Sequence, residues 1–117
     1  MRVLFDQGTP VPLRQALPKH AVETAFERGW STLANGALLA AAEADGFEVF
    51  VTTDLNLQYQ QHLPDRTIAI VVLSTTSWPR IRAATEQVAR AIDASAASRY
   101  VEVPIPLSPG GRLGGAA

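Results

Sequence analysis

Two aspartates in this chain each close an apolar run. Asp6 follows Arg2-Val3-Leu4-Phe5, and Asp54 follows Phe47-Glu48-Val49-Phe50-Val51-Thr52-Thr53. Two acids at adjacent strand ends are a donor set for a hard divalent cation such as Mg2+ or Mn2+, which prefers oxygen ligands and keeps several waters. Such an ion polarises a phosphodiester and activates a water. Polar residues stand beside both acids: Gln7 after the first, Asn56 after the second, and Thr53 before it. Ser74 and Thr75 follow a third apolar run. The plainer reading is that Asp6 and Asp54 cap the helices that come next, as aspartate often does. Two such acids at one sheet edge favour the functional reading.

Other side chains carry weaker signals. His20 and His62 lie too far apart for any helical or finger spacing, so surface or capping roles come first. Trp30 and Trp78 can stack on bases, but aromatics of this kind more often anchor a core or an interface. In Trp78-Pro79-Arg80-Ile81-Arg82, two arginines open a helix, where phosphates also bind. Arg80 and Arg82 are therefore candidates for an RNA backbone, against the plain reading of a solvated helix face. Tyr59-Gln60-Gln61-His62 either lines the same edge or forms an exposed short helix. There is no Gly-rich phosphate loop, no supported Ser-His-Asp set and no zinc pattern.

The elements that must position these residues follow from pattern. Arg2 to Phe5 reads as a buried strand. Thr9 then serves as N-cap, with Pro10 at the first helical position and Pro18 closing a short amphipathic helix. His20 to Ala25 is a weaker strand. Ser31 or Asn35 caps a helix through Leu38 to Ala44, which stops near Gly46. Phe47 to Thr53 is β-branched and aromatic, and so a strand. A short helix spans Leu57 to Leu63. Thr67 to Leu73 is the most continuous apolar run and should be a central strand buried on both faces. Ser74 to Ser77 caps one helix, along which Ile81, Ala84, Val88, Ala91 and Ile92 recur at helical spacing. Arg99 to Ile105 gives a last strand, and Pro104 and Pro106 place it at an edge. Strands alternating with helices predict a three-layer α/β/α sandwich with a four- or five-stranded, mostly parallel sheet. Ligands of such sheets bind beyond the carboxyl ends of the strands.

The totals exclude several classes. The 117 residues fit one domain, and the net charge of -1 supplies no global field for nucleic acid, so any RNA contact must be local. The absence of cysteine removes disulfides, thiolate metal sites and a Cys nucleophile. The opening residues are too short an apolar run for a signal peptide. No run approaches the roughly 18 apolar residues of a membrane span. The expectation is a soluble cytoplasmic protein with no membrane partner.

Val3-Leu4-Phe5-Asp6-Gln7, the helix at Asn35, and Val49-Phe50-Val51-Thr52-Thr53-Asp54-Leu55-Asn56-Leu57 together resemble the PIN-like domain superfamily. The likeness is closest to its small stand-alone members, some proposed as toxins of toxin–antitoxin pairs. It covers roughly the first 75–80 residues, and the strand-end Thr-x-Asp is its most specific piece. The resemblance implies a PIN-like domain over residues 1–107 and a flexible tail over 108–117. It implies a metal-dependent ribonuclease acting on single-stranded RNA, with Mg2+ or Mn2+ held by Asp6 and Asp54. Asn35 and Asn56 fall where the family usually offers two more acids, so the acidic site is depleted. Thr53 or Ser74 would orient ligands or a water. A cognate antitoxin, another protein or a second copy of the chain would be the partner. Two alternatives stand beside this reading. One is a non-catalytic PIN-like module that binds protein through the strand-end pocket or through Pro104 to Pro109. The other is a receiver-like phospho-acceptor domain. Against the latter, Lys19 is the only lysine and none follows the fifth strand.

Overall fold

A computed structural model of the chain describes residues 1–107. Five strands form one parallel sheet: β1 (Arg2–Phe5), β2 (Ala21–Thr24), β3 (Val49–Thr52), β4 (Ala69–Leu73) and β5 (Tyr100–Val103). Their spatial order is β2-β1-β3-β4-β5. This is the flavodoxin-like order, whose switch point lies between β1 and β3. All five residues of β4 are buried, as expected of a central strand covered on both faces. The last strand, β5, stands at an edge as the sequence puts it, and β2 is the other edge.

Strand side chains alternate between faces, and this divides the core. Val3, Phe5, Val49, Val51, Val71 and Leu73 point to one side. There they meet Ile81 on helix α3 (Trp78–Arg82) and Val88 and Ile92 on α4 (Thr85–Ser98). Leu4, Phe50, Ile70 and Val72 point to the other side. There they meet Leu38, Leu39 and Ala42 on α1 (Asn35–Ala44), and Leu57 on α2 (Leu57–Gln60). The result is the expected α/β/α sandwich.

Local differences from the sequence reading have physical causes. The first helix is a 3-10 helix, Val11–Ala16, with Pro10 as its N-cap. Pro12 lies inside its first turn, and the Thr9 hydroxyl is drawn to Asp6 instead of capping. Helix α1 starts at Asn35 behind Ala34, with no side-chain cap from either Ser31 or Asn35. The single helix expected after Ser77 is two, α3 and α4, parted at Ala83 and Ala84. No glycine or proline marks that break. Both α3 and α4 lie against the 3-10 helix, and α4 alone continues along β4 and β5. Ser77 is the N-cap of α3 but makes no side-chain capping bond.

The chain beyond β5 returns to its own domain. Ile105 is buried in the core. Its amide donates to Ser74 Oγ at 2.8 Å, and Arg80 donates to the Ile105 and Pro106 carbonyls at 3.1 and 2.8 Å. The expected tail, 108–117, lies outside the described residues. Among the described residues no helix is long and apolar enough to cross a membrane.

Candidate functional site at the carboxyl edge of the sheet

The register sets Phe5 of β1 beside Val51 of β3. Asp6 therefore stands next to Thr52, one step past the pairing, on the side that faces α1. Alternation places Asp54, two residues further, on that same side. Thr52 is buried and links the two acids. Its hydroxyl donates to Asp6 Oδ2 at 2.5 Å and accepts the Asp54 amide at 3.0 Å. The other oxygen, Asp6 Oδ1, accepts from Thr9 Oγ1 at 2.7 Å.

Asp54 is fixed by two amides. Its Oδ1 accepts the Asn56 backbone N–H at 2.9 Å, the local turn that leads into α2. Its Oδ2 accepts from Asn35 Nδ2 at 3.2 Å. Asp54 does not cap α2, whose N-cap is Asn56 with no side-chain capping bond, and its second oxygen is joined to α1. Because Asn35 does not cap α1, its amide is free to turn toward this acid. Asn35 and Asp6 line one cleft of about 160 Å3, walled also by Gln7, Trp30 and Leu33. The Gln7 amide donates to the Ser31 carbonyl and ties that wall to β1.

Burial pushes the Asp6 carboxyl above its ordinary value. The Thr52 and Thr9 hydroxyls and the Gly8 and Thr9 amides oppose that rise. The cause is loss of water around the charged form. Among the described residues, no group of three or more His, Asp or Glu side chains is arranged to hold a metal ion. The chemistry of the donors fits one divalent cation and not two. Two carboxylates balance a charge of two, and the Asn35 amide carbonyl is an acceptable oxygen donor. Each Asp54 oxygen accepts one hydrogen bond and keeps a further lone pair.

The remaining predicted residues lie elsewhere or do other work. Thr53 sits against Gly8, where an added Cβ would come within 2.5 Å of its Oγ1 and 3.8 Å of Asp6 Oδ1. Asn56 is exposed, and its backbone is what touches Asp54. The Ser74 hydroxyl accepts the Ile105 amide. The Arg80 guanidinium is committed to Thr75, Ile105 and Pro106. Arg82 is exposed. His20 bridges the first residue of the chain and Asp93, the latter at 2.7 Å, and His62 is exposed beside Asp65. Trp30 packs edge-on against Phe47, with ring centroids 6.1 Å apart.

Glu43 and Asp45, further along α1, are occupied at its far end. Glu43 takes Arg66 at 2.9 Å, and Asp45 takes Arg2 and Arg28 at 2.9 and 2.7 Å. Sequence reasoning missed Thr52 and Thr9 as partners of Asp6. The signal for Thr52 was its place two residues before Asp54, hence on the same face of a strand. No family model, no curated protein and no solved structure matches this chain.

Proposed function

We propose that this chain is a PIN-like protein whose Asp6–Asp54 site holds one Mg2+ or Mn2+ and cleaves single-stranded RNA slowly, as a cytoplasmic toxin restrained by a cognate antitoxin. The observation that carries the reading is the union of the two acids. They come from neighbouring strands at the switch point, share Thr52, and are backed by Asn35 from α1. When bound, a divalent cation supplies a polarised phosphodiester and a water of lowered pKa. Asp6 and Asp54 would contribute its two negative ligands, and Asn35 would offer a neutral carbonyl oxygen. Thr52 and Thr9 hold the Asp6 carboxylate in one orientation. With half the usual acids, the site favours weak metal affinity and slow turnover.

The test is Mn2+ calorimetry on the wild type and on the Asp6→Asn, Asp54→Asn double variant, followed by cleavage of a single-stranded RNA. Binding and cleavage that both vanish in the double variant support the reading. Cleavage unchanged in that variant sinks it.

A non-catalytic PIN-like binding module is the second reading, and the exposed apolar side chains around the site favour it. Phe26 is 78% exposed, Leu55 46% and Leu33 37%. A wild type that binds no metal, yet captures a partner through this edge, decides for it. The receiver-like reading draws on strand order and on Asp54 after β3. Its discriminating assay is acid-labile labelling of Asp54 by acetyl phosphate.

A further inference from the structure

A cleft larger than the one at the acids lies elsewhere among the described residues. It opens on the α1 side of the sheet beside β5, encloses about 400 Å3, and is lined by Gln58, Leu63, Pro64, Ile68, Arg99 and Tyr100. Helix α1 packs over the middle of the sheet, and here only the segment between α2 and β4 stands over the strands. That leaves an apolar floor of Leu63, Pro64 and Ile68 with one aromatic wall, Tyr100. The volume lies in the range of about 300–1,000 Å3 typical of small-molecule sites.

Two features bear on what such a cleft accepts. The first is Arg99, at the rim. It has φ +69°, the only positive value at a non-glycine among the described residues. A side chain there costs energy that glycine would not. The distortion turns the chain sharply between α4 and β5 and sets the guanidinium at the cleft, where it donates to the Arg66 carbonyl. Among the described residues Arg99 makes no ion pair with a carboxylate. The second is the opposite rim. Glu102 Oε2 accepts both the Tyr100 hydroxyl at 2.8 Å and Gln58 Nε2 at 3.2 Å. Those bonds fix the aromatic wall and leave negative charge at that end. The cleft is therefore apolar along its length and positive at one end only.

We propose that this cleft binds a small flat aromatic monoanion, an aryl carboxylate, with its ring on Leu63, Pro64, Ile68 and Tyr100 and its carboxylate on Arg99. The proposal is independent of the chemistry at Asp6 and Asp54.

The test uses the full chain and naphthoate as probe, with naphthylmethylammonium as the cationic match of similar shape. Saturation-transfer NMR and calorimetry give affinities. Naphthoate binds the wild type and the ammonium probe binds far more weakly. Arg99→Gly relieves the backbone and so folds, yet weakens naphthoate by about 10-fold or more, the worth of one charge-assisted hydrogen bond. Leu63→Trp fills the cleft and abolishes binding, while the circular dichroism of both variants matches the wild type. No binding at millimolar naphthoate overturns the proposal. So does equal affinity for the two probes, or an affinity that Arg99→Gly leaves unchanged. A dimer that Leu63→Trp dissolves, seen by sedimentation, assigns the cleft to a second copy of the chain and overturns it as well.

Discussion

The two ends of the sheet are built on opposite terms. At the amino edge, the acids are answered. Glu43 receives Arg66, the Thr67 hydroxyl and the Thr67 and Ile68 amides, and burial that would raise its carboxyl is outweighed, so it stays below its ordinary value. Asp45 takes two arginines, and Arg2 lies over the Phe47 ring at 4.1 Å. At the carboxyl edge, Asp6 and Asp54 are held by hydroxyls and amides, with no cation paired to either among the described residues. Val11, Phe26, Leu33, Leu55 and Leu107 stay exposed in the segments that follow strands. The acids of the first edge are satisfied within the chain and stabilise it. The other keeps charge and apolar surface available for something outside it.

The sharpest way to break this contrast is at Glu43. Its replacement by alanine leaves two amides, the Thr67 hydroxyl and Arg66 without their shared acceptor. It should cost about 1–3 kcal/mol of unfolding free energy, read by urea denaturation. A change within experimental error would mean that the amino edge contributes little. Next comes Asn35→Ala at the other edge. It should weaken Mn2+ by about 10-fold, as loss of an orienting partner typically does, with little change in stability. A large loss of stability with no loss of metal binding would place Asn35 in the scaffold.

The pH response of the carboxyl edge is smaller and has a definite sign. Burial raises Asp6 above its ordinary value of 3.8, so the folded chain holds this proton more tightly than the unfolded chain. The resulting stability is complete below 3.8 and is lost as pH rises through the folded value. Asp6→Asn removes that loss. Its melting temperature should equal or exceed that of the wild type at neutral pH, and its profile above the ordinary carboxylate range should be flatter. A steep fall in stability for Asp6→Asn at neutral pH would show that the hydrogen bonds to Thr9 and Thr52 outweigh the desolvation. Smallest of all, Phe26→Ser should shift stability by no more than about 0.5 kcal/mol, because the ring covers nothing in its own chain. A larger effect would mean that the exposed apolar residues serve the fold.

The sequence by itself determined the layered fold and the place of the two acids. Strand β4 was legible because a strand covered on both faces must be apolar throughout. Asp6 and Asp54 were legible because each interrupts a strand, and a parallel sheet gathers all such ends at one edge. Other features depended on neighbours that are distant in the chain. Thr52 against Thr53, Asn35 as a partner of Asp54 instead of a cap, and Arg80 as a clasp for Ile105 are decided by which atoms fold into reach. The break between α3 and α4 and the left-handed turn at Arg99 carry no glycine or proline to announce them. Periodicity records which face of an element is buried, whereas hydrogen bonds between elements and the bends that packing imposes exist only once the layers have met.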